Sequence, residues 1–81
     1  MSVESQIKEY IARNLLFSDN GFQYSDEASF LDEGIVDSVG VMELVAFVED
    51  QFDIKVNDSE VVPDHFDSVS KLAAFIRQKS N

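Results

Sequence analysis

Val3, Ile7, Tyr10, Ile11 and Leu15 recur at helical spacing near the start of the chain and predict a first helix over about Val3 to Leu16, with Ser2 as its cap. The pattern stops at the turn formers Ser18-Asp19-Asn20-Gly21. Residues 18–37 then form one long connection in which Phe22, Phe30 and Ile35 are spaced apolar anchors. A connection of that length in a small domain is either disordered or functional, and anchors of this kind predict an ordered loop laid over the helices. The apolar run that follows predicts a second helix over about Val39 to Gln51, with Ser38 placed to cap it. Asn57-Asp58 or Ser59 starts a short third helix through Val62, after which Pro63 is expected to break the chain. Ser68 caps the last helix, where Val69, Leu72, Ala73 and Ile76 share a face and Phe75 flanks it; Arg77 and Lys79 suit the negative end of its dipole.

Asp53-Ile54-Lys55-Val56 alternates as a strand would, but no partner strand is evident, so it reads as an extended loop whose Ile54 and Val56 plug the bundle. The fold class predicted is all-α: a small four-helix bundle of three main helices and one short one, with a long loop between the first two. Residues 1–81 form a single domain without repeats, and the tail from Gln78 to Asn81 is expected to fray.

The second helix carries two apolar faces. Advancing ~100° per residue from Ser38 places Val41, Leu44, Val45, Val48 and Phe52 on one side, which is the predicted core face. Val39, Met42 and Ala46 fall on the other side among Glu43, Glu49 and Asp50, with Phe47 near the boundary. A purely structural helix carries polar residues there. An exposed apolar stripe framed by acids suits docking of a basic partner surface; the competing expectation is that Val39 and Met42 fold back under the long loop as core.

Size and charge narrow the chemistry. Eighty-one residues leave little room for a buried substrate pocket with a full catalytic constellation. The absence of cysteine removes disulfides, thiolate metal sites and any thiol supplied by the polypeptide. With 16 acidic against 6 basic residues the formal charge is -10 and the sequence pI about 4.1, which repels nucleic acid and anionic membranes and favours basic protein surfaces. Met1-Ser2-Val3-Glu4-Ser5 has neither a basic start nor an apolar signal core, and no apolar run approaches membrane-spanning length, so a cytoplasmic protein without membrane insertion is expected.

Asp37-Ser38-Val39, at the junction of the long connection and the second helix, is the candidate site, because a serine there keeps its hydroxyl at the surface for another enzyme to modify. Nucleophilic catalysis by Ser38 would need a base, and the only histidine, His65, sits in the loop before the last helix and is assigned no role. The acids read as solvated faces without a walled cleft, and neither Ser18-Asp19-Asn20-Gly21 nor Asp32-Glu33-Gly34 continues into the spacing of a calcium loop. No catalytic residues and no metal site are expected.

The stretch Asp32-Glu33-Gly34-Ile35-Val36-Asp37-Ser38-Val39-Gly40-Val41-Met42-Glu43-Leu44 resembles the modification motif of acyl carrier proteins, and the likeness extends through Phe52-Asp53-Ile54-Lys55-Val56 to the last helix. That resemblance implies that Ser38 receives 4'-phosphopantetheine from coenzyme A, that Asp37 helps the phosphopantetheinyl transferase bind its divalent metal, and that the arm's thiol carries acyl or aminoacyl groups as thioesters. It also implies that Val39, Met42, Glu43, Ala46, Glu49 and Asp50 meet the transferase and the loading and processing enzymes through basic docking surfaces. Gly40 stands where the commonest fatty-acid pattern has an acid, and in this the chain resembles D-alanyl carrier proteins and some specialised stand-alone carriers. Val62-Pro63-Asp64-His65-Phe66-Asp67-Ser68-Val69 is similar to the matching part of discrete carriers for secondary metabolites or modified lipids. A stand-alone, monomeric carrier without catalytic turnover is therefore expected. The alternative is an acidic helical interaction module that is never modified.

Overall fold

The computed structural model describes residues 2–80 and is all-helical among them. Helix α1 spans Val3–Asn14, α2 Ser38–Phe52, α3 Pro63–Phe66 and α4 Val69–Ser80, with a single 3-10 turn at Asp58–Glu60. The expected bundle of three main helices and one short one is present. Ser2 caps α1 by accepting from Ser5 N at 3.0 Å, and Ser68 caps α4 by accepting from Lys71 N at 3.1 Å.

Four boundaries differ from expectation, each for a local reason. Helix α1 ends at Asn14 because Leu16 and Ser18 donate to Ile11 and Ala12 across a widened turn. Only the 3-10 turn forms before Val62, and Pro63 opens α3 instead of ending a helix; proline suits a first helical position, where its missing N–H is not needed. Helix α4 continues through Ser80, so of the expected frayed tail only Asn81 lies outside the described residues. Ser38 is the first residue of α2, and Asp37 is its cap.

Helix α4 is the central element, burying Val69, Leu72, Ala73, Phe75 and Ile76 against α1 and α3 and, at fewer points, α2. Ile7 and Ile11 of α1 and Leu44 and Val48 of α2 complete the layer, each such side chain contributing about 1.5–3 kcal/mol on burial. Val41, Val45 and Phe52 are half-buried at its margin, and Val56 is buried with Ile54 packed beside it, as the plug reading requires. Tyr10 and Phe47 stack at 4.1 Å and fasten α1 to α2.

Two ion pairs staple the C-terminal end of α4. Arg77 donates twice to Glu4 at 2.6 and 2.8 Å, and Lys79 donates to Glu60 at 3.1 Å. The Arg77 hydrogen bonds hold the Glu4 carboxyl below its ordinary value of 4.5, and the Asn57 N–H followed by Lys79 does the same for Glu60. Because the folded-state values are depressed, the stabilisation is complete above the unfolded value and disappears as pH falls from about 4.5 through the folded one. Thermal melts between pH 7 and 3 should show a shallower acid limb for Glu4→Gln than for the wild type, a small difference because solvent screens the pair.

Candidate functional site

The long connection is ordered by its anchors. Phe30 is wholly buried, and its N–H donates to the Asp67 carbonyl at 2.7 Å while its own carbonyl accepts from Ile35 and Val36 at 2.8 and 3.3 Å. The Asp67 carboxylate takes the next two bonds, from Leu31 N at 3.1 Å and from the Ser29 hydroxyl at 2.6 Å. Ser70 adds a backbone bond to Asp26 and a hydroxyl bond to Glu27, and Lys8 pairs with Asp26 at 2.7 Å. The junction of α3 and α4 thus holds the loop, and the buried pair Ile35-Val36 delivers residues 37 and 38 to the surface. Asp67 escaped sequence reasoning because an acid beside a capping serine looks like ordinary cap composition.

Asp37 Oδ1 accepts from Gly40 N at 2.7 Å, and the Asp37 carbonyl accepts from Val41 N. This capping by Asp37 replaces the expected capping by Ser38. The serine hydroxyl is therefore spared for other chemistry, and Ser38 is exposed. It also sits at the positive end of a 15-residue helix, where first-turn amides favour an anionic group.

Gly40 has a steric reason. It is buried in the first turn of α2, and a Cβ there would stand 2.8 Å from Val36 Cγ1 and 3.8 Å from Leu15 Cδ1. An acidic side chain at this position would have to displace Val36 at the end of the loop.

An apolar groove of about 330 Å³ opens beside Ser38, with Phe30, Val41 and Phe66 at its base and Leu31 and Met42 exposed at its rim. Val39 and Met42 are 68% and 61% exposed, so neither is folded under the loop. Glu43, Ala46 and Asp50 are exposed as well. Glu49 differs: it is half-buried, and its Oε2 accepts from Val56 N at 2.9 Å, closing the turn after α2. The segment that supplies this face is acidic throughout, since residues 14–54 hold ten acids and no lysine, arginine or histidine. His65 lies elsewhere, its ring 4.7 Å from that of Phe75. Among the described residues no three acidic, histidine or cysteine side chains converge to hold a metal ion.

Residues 5–76 match the family described as "Phosphopantetheine attachment site". The chain belongs to that family. It is also 35% identical over 78 residues to the D-alanyl carrier protein of Streptococcus pyogenes serotype M5 (strain Manfredo), an alignment covering 96% of this chain and 95% of the relative. Membership makes the protein a carrier and not itself a catalyst, with 4'-phosphopantetheine as its covalent group. The residues around Ser38 fit such a group: an exposed hydroxyl free of capping duty, helix-start amides for a phosphodiester, and an apolar groove alongside. Among the described residues no helix is long and apolar enough to cross a membrane.

Proposed function

We propose that this protein is a stand-alone cytoplasmic carrier that bears acyl or aminoacyl groups on an arm attached to Ser38. The observation that carries the reading is the division of labour at the start of α2, where Asp37 caps and Ser38 is left exposed. When bound, the arm supplies the thiol that a chain without cysteine lacks and holds the cargo as a thioester. The first-turn amides of α2 stabilise the phosphodiester, Asp37 assists the transferase, and the groove bounded by Leu31 and Met42 shelters apolar parts of arm or cargo. The D-alanyl relative favours a small aminoacyl cargo within this class. The test is incubation with coenzyme A, magnesium and a broad-specificity phosphopantetheinyl transferase, followed by intact mass and peptide mapping; no addition, or addition away from Ser38, rejects the assignment.

Val39, Met42, Glu43, Ala46 and Asp50 form the face offered to basic partner surfaces in this reading, with Glu49 at its edge already engaged in the turn. Val39→Ala and Met42→Ala should each change stability by less than about 1 kcal/mol yet slow partner turnover, because their side chains are exposed. Val48→Ala, at a wholly buried site, should do the reverse. Melts and transferase kinetics on the three variants check this; equal destabilisation at all three positions would contradict it.

A further inference from the structure

Phe17 occupies a position that its own fold does not reward. Leu16 N bonds to Ile11 O at 2.9 Å and Ser18 N to Ala12 O at 2.8 Å, and between them Phe17 has φ 52, in the left-handed region. Glycine or asparagine ordinarily serves there, because a Cβ crowds the backbone. The ring gains nothing in exchange, since Phe17 is 81% exposed. A strained backbone carrying an unburied aromatic ring points to a surface outside the chain that buries it.

Its neighbourhood indicates which surface. Phe17 lines a cleft of about 390 Å³ with Leu15, Leu16 and Val36 on one side and Val39 and Glu43 on the other. Successive α2 positions divide around the serine: Val39, Gly40 and Glu43 face this cleft, whereas Val41 and Met42 face the apolar groove with Ser38. The cleft thus adjoins Ser38 on the side away from the groove, with the serine's neighbours Asp37 and Val39 in its lining. Asp37 and Glu43 border it and no lysine or arginine lines it, so a second copy of this chain meets like charge there.

We propose that Phe17 and Val39 flank a second docking edge, which receives an apolar side chain flanked by lysine or arginine from the phosphopantetheinyl transferase that modifies Ser38. This rests on Ser38 being the attachment residue. Phe17→Asn keeps a residue that tolerates the left-handed turn and removes the ring. Arm addition is followed against carrier concentration with coenzyme A, magnesium and a phosphopantetheinyl transferase, alongside thermal melts and sedimentation of both proteins. The expected result is a KM for the carrier raised about tenfold, the cost of truncating one buried aromatic anchor, with kcat within about twofold and a melting temperature at or above that of the wild type. An unchanged KM in a folded variant overturns the docking edge while leaving attachment at Ser38 intact. A wild-type dimer that Phe17→Asn dissociates overturns it in favour of self-association. Failure of the wild type to be modified at all removes both readings.

Discussion

Ser38→Ala should take up no phosphopantetheine under conditions that modify the wild type completely, and should melt at nearly the same temperature. The first half follows from attachment at the exposed hydroxyl, for which alanine offers no substitute. The second follows from the cap: Gly40 N is satisfied by Asp37, so removing the serine oxygen leaves the start of α2 bonded as before, and an exposed change of this kind moves stability by no more than about 0.5 kcal/mol. Asp37→Ala separates the two roles. It should lose about 0.5–2 kcal/mol through the cap while still accepting the arm, at a reduced rate. Intact mass and thermal melts on both variants read the outcome. The chain has other exposed serines, Ser59 among them, and addition to Ser38→Ala at any of these would refute the assignment.

Phe30→Ala should cause the largest loss of stability of any single truncation in the loop, about 3–5 kcal/mol. Phe30 is wholly buried, and its backbone ties Asp67 to Ile35 and Val36, so the cavity left behind lies where loop, α3 and α4 meet. For a chain of this size the total is on the order of 4–12 kcal/mol, so the variant is left near its unfolding threshold. Denaturant melts measure the loss, and amide exchange at Ile35 and Val36 should rise before exchange in α4 does. A loss under about 1 kcal/mol would mean that the loop does not depend on this anchor.

The helices were legible because their signals are local: a period of apolar residues in α1 and α4, and capping serines at residues 2 and 68. Phe30 and Ile35 were legible as anchors for the same reason, being isolated apolar residues in a polar stretch. Long-range arrangements were not. The carboxylate of Asp67 reaches back to Ser29 and Leu31, a pairing that no periodicity announces. Pro63 reads either as a stop or as a start, and only the bonds from His65 and Phe66 to the Val62 carbonyl decide between them. At the site, Asp37 and Ser38 are both good caps, and adjacent candidates of equal propensity are resolved by which backbone turns first. Glu49 looked like its exposed neighbours until the chain after α2 folded back onto it.

The close fit of Gly40 beneath Val36 and Leu15 has a consequence for how a carrier is handled with different loads. On that side α2 is seated by backbone against the short, buried side chain of Val36, with no long rotamer to adjust, whereas the boundary across the serine is made of Leu31 and Met42, whose exposed chains reorient at little cost. One edge of the serine is therefore a fixed datum and the other an adjustable jaw. If Ser38 carries the arm as proposed, an enzyme that registers against the fixed edge would find it in the same place whatever the jaw has closed upon.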